Sequence, residues 1–330
     1  MSAIAIGRPL LVLVGPTAVG KTALSLALAR RFDGEIISAD SRLFYRGMDI
    51  GTAKPTPAER AATPHHLIDI CDPDETLSLG QYQRLAYAAI DSALARARLP
   101  ILVGGTGQYV MAVVEGWGIP EVAPQPALRA ALAALGEAEA ARWLAALDAP
   151  AAGRIDPRNA RRVIRALEVI LVTGRRMSEA QRKTPPPYDT AVIGVSRPRP
   201  SLYARIDARV DTMMAAGLLD EVRRLRDAGY AEEPPLSGLG YRQLLSHLRG
   251  EMGLEEAVSR IKFETHRFAR QQATWFRAND ARIVWFDLEE PAASAAVVDH
   301  VAAWLEERRP TAADEAPQDS PDGSTAPLIH

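Results

Sequence analysis

The chain has 330 residues, of which 47% are hydrophobic and 24% are charged, and its formal net charge at pH 7 is −2. This length and composition allow a substantial buried core and predict a folded protein with one or two domains. The small net charge excludes a uniformly basic nucleic-acid-binding protein, although local clusters of basic residues can still contact phosphates.

The cysteine content and the length of the apolar runs indicate in which cellular compartment the protein is expected. The single cysteine, Cys71, cannot form an internal disulfide, and residues 1–8 lack the charged and apolar regions of a signal peptide. The apolar runs have the length of strands, whereas a membrane-spanning helix needs ~20 apolar residues. We therefore expect a cytoplasmic protein without membrane contact, and we expect it to be a monomer.

The first predicted elements are a strand, a loop and a helix. Residues 10–14 form a continuous apolar run of strand length. After a glycine-containing loop, Leu24, Ala27 and Leu28 recur at helical spacing. This order of elements is the one in which phosphate-binding loops occur.

The loop itself has the pattern G-x-x-x-x-G-K-T. Its glycines let successive backbone N–H groups converge on phosphate oxygens, and the helix that follows directs its positive end at the anion. In this pattern Lys21 neutralises charge and Thr22 ligates Mg²⁺. The loop predicts a site for a diphosphate or triphosphate with Mg²⁺, formed by Gly15, Pro16, Thr17, Ala18, Val19, Gly20, Lys21 and Thr22.

Five further strand candidates follow, several of them separated by helical patterns. They are residues 35–38, 66–70, 101–103, 191–195 and 283–286. The helix that begins after Ser78 is expected to share one apolar face among Tyr82, Leu85, Ala89 and Leu94. Strands alternating with helices predict an α/β fold, namely a P-loop NTPase-like, mostly parallel sheet with helices on both faces.

The strand at residues 101–103 lacks a residue that ATP-using P-loop proteins normally carry. In those proteins a strand ends in an Asp that supports Mg²⁺, but here Gly104 and Gly105 follow the strand. Asp69 could replace it, although an Asp after three apolar residues is also common at ordinary strand ends. An Asn-Lys-x-Asp guanine motif is absent. An ATPase or a signalling GTPase is therefore disfavoured.

The amino-acid composition of the sequence changes at residue 116. Prolines mark both ends of a segment rich in Ala and Leu, which predicts a helical insertion at residues 116–190. Residues 1–115 and 191–308 would then form the P-loop core with its C-terminal helices. Residues 309–330 are rich in Pro, Asp, Ser, Thr and Ala, and we predict that this tail is disordered.

Six segments match motifs of one known family in the family's own order. They read SADSRLFYRGMDIGTAKP (38–55), PHHLID (64–69), LVGGTG (102–107), RALEV (165–169), GYRQ (240–243) and TWFR (274–277). In these segments the chain resembles the tRNA dimethylallyltransferase family. The resemblance implies transfer of a dimethylallyl group from dimethylallyl diphosphate to N6 of adenosine-37 in tRNAs that read codons beginning with U. It also implies that the phosphate loop grips the prenyl diphosphate, which accounts for the missing second Asp.

Two side chains are candidates for the chemistry of such a transfer. The exocyclic amine of adenine is a poor nucleophile, so a base must accept its proton as the N–C bond forms. Asp40, at the end of the second predicted strand, is our candidate, and its alternative role is to cap the next turn. The departing diphosphate needs Lys21, Thr22-bound Mg²⁺ and a second cation. We predict Arg242 for that cation, the alternative being a solvated arginine at a helix end.

Two basic stripes on predicted helices indicate where RNA could bind. One consists of Arg158, Arg161, Arg162 and Arg165, opposite Val163, Leu167, Ile170 and Leu171. The other consists of Lys262, His266, Arg270 and Arg277, backed by Val258, Ile261, Phe268 and Trp275. Either stripe alone is typical of a solvated helix face, but two stripes without interleaved acids favour a polyanion.

The resemblance implies a defined set of contacts with the tRNA anticodon stem-loop. They would come from Asp40, Ser41, Arg42, Leu43, Thr106, Arg129, Arg161, Arg162, Val163, Ile164, Arg165, Gly240, Tyr241, Arg242 and Gln243. The chain departs from the family at Leu43, where many members have Gln, and at Gln108, where most have an apolar residue. Residues 265–272 also differ from the commoner Thr-Arg-Gln-x-Ala-Lys-Arg-Gln. These departures affect what the resemblance implies about recognition of the base and about one contact made by a basic residue.

Three other functions remain open on the sequence alone. A small-molecule kinase on the same scaffold would consume ATP without RNA. A prenyl transferase acting on free adenine nucleotide would not need the basic insertion. A nucleotide-dependent RNA-binding protein would bind tRNA and leave its mass unchanged.

Overall fold

The computed structural model describes residues 7–308, so the predicted disorder of residues 309–330 lies outside the described residues. Its strands are β1 (Pro9–Val14), β2 (Gly34–Ser38), β3 (His65–His66), β4 (Leu99–Gly104), β5 (Asp189–Ser196) and β6 (Ile283–Asp287). They form one sheet in the order β3-β2-β4-β1-β5-β6, and every pairing is parallel. Val14 at the end of β1 is level with Gly104 and Gly194. The phosphate loop therefore leaves the centre of the sheet.

Fourteen α-helices accompany the sheet within residues 7–308. They are α1 (Lys21–Phe32), α2 (Pro57–Ala62), α3 (Leu79–Ala95), α4 (Gly107–Val114), α5 (Pro126–Ala134), α6 (Glu137–Leu147), α7 (Ala149–Ala152), α8 (Ala160–Thr173), α9 (Met177–Ala180), α10 (Arg199–Ala215), α11 (Leu218–Leu225), α12 (Tyr241–Leu248), α13 (Leu254–Gln272) and α14 (Ala293–Glu306). No helix in this part of the chain is both long and apolar enough to cross a bilayer.

Both faces of the sheet are covered by helices, because alternate residues of β1 enter two different hydrophobic clusters. Leu11 and Leu13 pack with residues of α1, α10 and α14. Leu10 and Val12 pack with residues of α3 and α4 on the other face. A parallel sheet buried on both sides reads as a continuous apolar run, which is why β1 was recognisable in the sequence. The predicted α/β fold with a parallel sheet is confirmed.

The third strand is shorter than predicted. We expected it at residues 66–70, but the structure ends β3 at His66. Leu67 has φ 61° and Asp69 has φ 57°, both in the left-handed region that interrupts extended backbone. The N–H of Asp69 donates instead to the carbonyl oxygen of Leu43 at 3.1 Å. This segment therefore pairs with the loop after β2 and does not extend the sheet.

Helix α3 begins as predicted but buries a different face. The hydroxyl of Ser78 accepts a hydrogen bond from the N–H of Gln81 in a capping box. Tyr82 and Ala89 are buried as expected, whereas the Leu85 side chain is 42% exposed. Leu85 was therefore wrongly placed, because the buried stripe runs through Ala86 and Ile90 on the other flank of Tyr82.

Two helical groups surround the sheet-bearing part. Helices α5 to α9 pack around a hydrophobic cluster of their own that includes Leu144, Val163 and Leu167. Helices α10 to α13 share another cluster, to which the loop after β2 contributes Met48. Leu171 on α8 is 46% exposed, so it does not belong to the buried face on which we expected it. The division into core and insertion stays a prediction.

Candidate active site

The phosphate loop connects β1 to α1 in a tightly packed conformation. Gly15 has φ 153°, and a Cβ there would lie 2.4 Å from the carbonyl oxygen of Val195 on β5. Only glycine fits this approach of two backbones. Ala18 has φ 62°, in the left-handed region, which strains a residue other than glycine. Packing against β5 thus holds the loop in place.

Lys21 lies at the start of α1 with its ammonium group folded onto the loop. Its Nζ donates hydrogen bonds of 2.8 Å to the carbonyl oxygens of Gly15 and Pro16. Burial lowers the pKa of Lys21 to about 8; the Asp40 carboxylate opposes this shift and Arg209 adds to it. A bound anion would stabilise the charged form of this lysine.

Asp40 lies just beyond the end of β2. Its Oδ1 accepts a 3.0 Å hydrogen bond from the backbone N–H of Arg42, which is the turn-capping role considered as the alternative. Its Oδ2 accepts no hydrogen bond from any residue between 7 and 308. One carboxylate oxygen therefore fixes the turn, while the other is left for a ligand.

A cavity of about 460 Å³ opens beside the phosphate loop, which is the size of a small-molecule site. Its walls come from the phosphate loop, the segment after β2, the start of α4, α10 and the chain from Ser237 to α13. Of the predicted site residues, the cavity brings together Thr17, Ala18, Asp40, Ser41, Arg42, Thr106, Gly240, Tyr241 and Arg242. Thr106 begins α4 without a side-chain capping bond, so its hydroxyl is available to a ligand.

Arg209 on α10 is a functional candidate that the sequence did not reveal. It lines the cavity with Asp40, and its charge acts on Lys21. Burial lowers the pKa of Arg209, and the Asp40 carboxylate opposes that shift. One helical turn earlier, Arg205 donates from Nε to the carbonyl oxygen of Ala18 at 2.9 Å. The i, i+4 spacing of these two arginines was the only available signal.

Arg242 lies in the wall of the same cavity but pairs with Glu264 on α13. Its side chain remains about half exposed. Tyr241 donates from its hydroxyl to Glu221 at 2.7 Å, and Gln243 accepts from the N–H of Gly240 at 2.9 Å. In the GYRQ segment, therefore, Arg242 faces the cavity, while Tyr241 and Gln243 are buried supports.

Arg129 and Arg165 make structural contacts within the helical group α5 to α9. Arg129 Nε lies 2.8 Å from Oε1 of the fully buried Glu168, and Arg165 Nη1 lies 2.6 Å from Oε2. Burial opposes ionisation of Glu168, but the hydrogen bonds from Arg129, the Gln125 N–H and Arg165 outweigh it and lower its pKa to about 2. These two arginines hold helices together.

Arg161 and Arg162 are the unpaired members of the first basic stripe. Both are exposed, and neither forms an ion pair or side-chain hydrogen bond within residues 7–308. Arg158, in contrast, pairs with Asp156. Val163 is buried and Ile164 is half-buried between the arginines. Two of the four stripe residues are therefore free for phosphates.

Two members of the second basic stripe contact acids on another helix, while Arg270 and Arg277 stay exposed. Lys262 and His266 contact Asp211 and Asp207 of α10, at 2.7 Å and 2.9 Å. Phe268 and Trp275, expected behind the stripe, are 38% and 40% exposed. The acidic partners come from another helix, so spacing along α13 alone could not show them. Lys262 and His266 therefore pack α13 against α10.

The residues present fit a Mg²⁺ ion held with a bound diphosphate. Thr22 is exposed, and its hydroxyl has no hydrogen-bond partner within residues 7–308. No group of three or more His, Cys, Asp or Glu residues in that range could hold a metal. Asp69 is neutralised by Lys54 at 2.5 Å and Arg60 at 2.6 Å, so it does not replace the missing second Asp. Mg²⁺ with phosphate ligands needs few protein groups.

Comparison with known protein sequences identifies a family. The family model described as IPP transferase matches residues 43–279. A tRNA dimethylallyltransferase of Roseiflexus sp. (strain RS-1) is 60% identical over 274 residues, which cover 82% of this chain and 90% of that protein. A tRNA dimethylallyltransferase of Thermomicrobium roseum is 47% identical over 324 residues, covering 97% and 95% of the two chains.

Solved structures agree with the sequence comparison. A tRNA isopentenylpyrophosphate transferase of Bacillus halodurans has a TM-score of 0.69 and 42% identity, covering 91% of this chain and 98% of that chain. A eukaryotic dimethylallyltransferase acting on tRNA has a TM-score of 0.79 and 26% identity, covering 94% and 82%. The resemblance inferred from the six motifs is confirmed, and the chain belongs to the tRNA dimethylallyltransferase family.

Proposed function

We propose that the protein transfers a dimethylallyl group from dimethylallyl diphosphate to N6 of adenosine-37 in tRNAs that read codons beginning with U, releasing diphosphate. One observation carries the proposal. A single cavity joins the phosphate loop, through Thr17 and Ala18, to the carboxylate of Asp40 and the hydroxyl of Thr106. A diphosphate leaving group and an adenine amine can therefore meet in one cavity.

The proposed reaction is a direct displacement at the allylic carbon. As the C–O bond breaks, negative charge develops on the diphosphate, where Lys21 and Arg209 stabilise it. As the N–C bond forms, the free Oδ2 of Asp40 accepts the N6 proton. The bond from Oδ1 to the Arg42 N–H keeps the carboxylate oriented during this transfer.

Mg²⁺ belongs to the proposal as a cofactor of the diphosphate. The hydroxyl of Thr22 would hold the ion together with phosphate oxygens. When bound, the ion supplies positive charge that favours departure of the diphosphate. The neighbouring Lys21 contributes charge from the protein itself.

The tRNA anticodon stem-loop is the proposed macromolecular partner. Arg161 and Arg162 are free to contact its phosphates, and Arg42, Thr106 and Arg242 lie in the cavity where the target base would enter. Adenosine-37 lies in a loop, so leaving its stack costs less than it would in a duplex. We further propose that the protein acts as a monomer in the cytoplasm.

A mass measurement tests the proposal against its alternatives. The protein is incubated with Mg²⁺, dimethylallyl diphosphate and either tRNA or AMP, and both acceptors are analysed for an added five-carbon unit. We expect the addition on tRNA and none on AMP. Addition to AMP, or tRNA binding without a change of mass, would contradict the proposal. The family relationship does not favour a small-molecule kinase, and ATP consumption without RNA would reveal one.

A further inference from the structure

The end of α13 is inserted between the phosphate loop and the turn that follows β4. Gln272, the last residue of α13, is only 6% exposed. Its Oε1 accepts a 2.8 Å hydrogen bond from the backbone N–H of Thr17, and its Nε2 donates a 2.9 Å bond to the carbonyl oxygen of Gly105. One buried amide therefore joins two loops that are 88 residues apart in sequence, at positions 17 and 105.

The glycines after β4 make room for this arrangement. A Cβ at Gly105 would lie 2.3 Å from Nε2 of Gln272, and a Cβ at Gly107 would lie 2.2 Å from the Trp275 ring. Both distances are too short for any side chain. Gly105 and Gly107 thus leave room for the side chains of Gln272, at the end of α13, and of Trp275, three residues later.

The Gln272 amide satisfies both loops at once. The Thr17 N–H requires an acceptor and the Gly105 carbonyl requires a donor, and a glutamine side chain presents one of each. A carboxylate would place an unpaired negative charge against the carbonyl oxygen, next to a site for diphosphate. A leucine of similar size would leave both backbone groups without partners.

We propose that Gln272 is a positioning residue that fixes the phosphate loop relative to Thr106. Thr17 lines one side of the cavity, and Thr106, which follows Gly105 directly, lines another. Gln272 therefore sets the separation between the group that holds the diphosphate and the wall that receives the base. The inference rests on the proposed function for its role in prenyl transfer, while its effect on the loop is independent of that function.

Binding of inorganic diphosphate with Mg²⁺, measured by calorimetry, tests the inference without any prenyl transfer. Gln272→Leu and Gln272→Glu are each expected to raise the dissociation constant about tenfold or more, as loss of two buried hydrogen bonds implies. Ala273→Glu is the control, because it adds the same charge at the exposed neighbouring position. It is expected to bind diphosphate like the wild type.

Steady-state kinetics separate positioning from a general loss of structure. In Gln272→Leu, KM for dimethylallyl diphosphate should rise about tenfold while KM for tRNA changes less than about twofold. Equal changes in both constants, or wild-type diphosphate binding by a folded variant, would overturn the inference. If the wild type binds diphosphate but transfers nothing to tRNA, the proposed function fails and the loop-positioning inference does not.

Amide hydrogen exchange of the wild type provides a test that needs no variant. The Thr17 N–H should be protected in the absence of any diphosphate, because Gln272 already accepts its hydrogen bond. Exchange of this amide at the rate of an open loop would contradict the inference.

Discussion

At the level of single residues, the protonation state of Lys21 depends on whether the phosphate loop binds a diphosphate. Its ammonium group donates to the carbonyl oxygens of Gly15 and Pro16, and burial lowers its pKa to about 8. A bound diphosphate would raise that pKa, so binding above pH 8 must be accompanied by uptake of a proton. The affinity for the anion is therefore linked to pH in a predictable direction.

We predict that KM for dimethylallyl diphosphate is nearly constant up to about pH 7, about doubles by pH 8 and then rises further, approaching about tenfold per pH unit. Below the free-state pKa the lysine is charged before and after binding, so no proton is exchanged. Initial-rate measurements across this range check the prediction. Lys21→Arg is the control, since arginine remains charged and should remove the dependence. A flat profile in the wild type would contradict the assigned protonation.

Arg209 and Arg242 are both candidates for the second cation that contacts the diphosphate. The sequence favoured Arg242, but the structure pairs it with Glu264, whereas Arg209 acts on Lys21 and Asp40. We predict that Arg209→Ala lowers kcat/KM about 100-fold, and that Arg242→Ala lowers it about tenfold.

The arginine variants can be compared by single-turnover rates. Arg199→Ala is the control, because Arg199 is an exposed arginine at the start of the same helix. It should behave like the wild type. If Arg242→Ala lowered the single-turnover rate more than Arg209→Ala, Arg242 and not Arg209 would be the second cation on the diphosphate.

Among the elements, the loop after β2 is anchored by one buried carboxylate. Glu221 on α11 is 1% exposed and accepts hydrogen bonds from the N–H groups of Asp49, Ile50 and Gly51 and from the Tyr241 hydroxyl. Burial and the Glu221 carboxylate raise the pKa of Tyr241. One carboxylate thus joins the loop that bears Gly51 to α12 at the cavity wall.

We predict that Glu221→Gln destabilises the protein by about 2–4 kcal/mol, since its NH₂ group would face backbone N–H donors. Tyr241→Phe should cost only about 1–2 kcal/mol, because one hydrogen bond is lost and the carboxylate keeps its three others. Urea denaturation measures both values. If both variants were as stable as the wild type, the anchoring role would be wrong.

The elements also show where sequence periodicity succeeds and fails. It located β1, because a strand buried on both faces is continuously apolar. It overextended β3, because a left-handed residue such as Leu67 leaves no hydrophobic signal. It could not show that Lys262 and His266 contact acidic residues, because those residues, Asp211 and Asp207, lie on α10. The periodicity of a sequence describes one helix or strand, but it does not show which residues of another element pack against it.

At the scale of the whole molecule, the site depends on contacts that no local pattern contains. Asp40, Thr106 and Arg242, which the six motifs singled out, line one cavity. Asp40 and Thr106 meet there because they follow neighbouring parallel strands, whose ends share an edge of the sheet. Arg209 and Gln272 reach the phosphate loop from helices 188 and 251 residues after Lys21, at positions 209 and 272. Their roles follow from packing of the C-terminal helices, which single-sequence patterns do not specify.

Binding of tRNA is the property that should depend on the distant helical group. We predict that Arg161→Ala combined with Arg162→Ala weakens tRNA binding and lowers the salt slope of log Kd by about 1.4–1.8, as loss of two phosphate contacts implies. Arg142→Ala is the control, because Arg142 already pairs with Glu139. Filter binding over a salt series gives both quantities. An unchanged slope in the double variant would exclude these arginines from the interface.

We propose that Asp40 accepts the N6 proton of adenosine-37 during prenyl transfer. The most direct measurement is nucleoside mapping of tRNA after incubation with dimethylallyl diphosphate, Mg²⁺ and either the wild type or Asp40→Asn. We expect a five-carbon addition on N6 at position 37 with the wild type. With Asp40→Asn we expect a rate lowered by about 100-fold or more, with diphosphate binding retained. Addition at another atom or position, or full transfer by Asp40→Asn, would contradict this proposal.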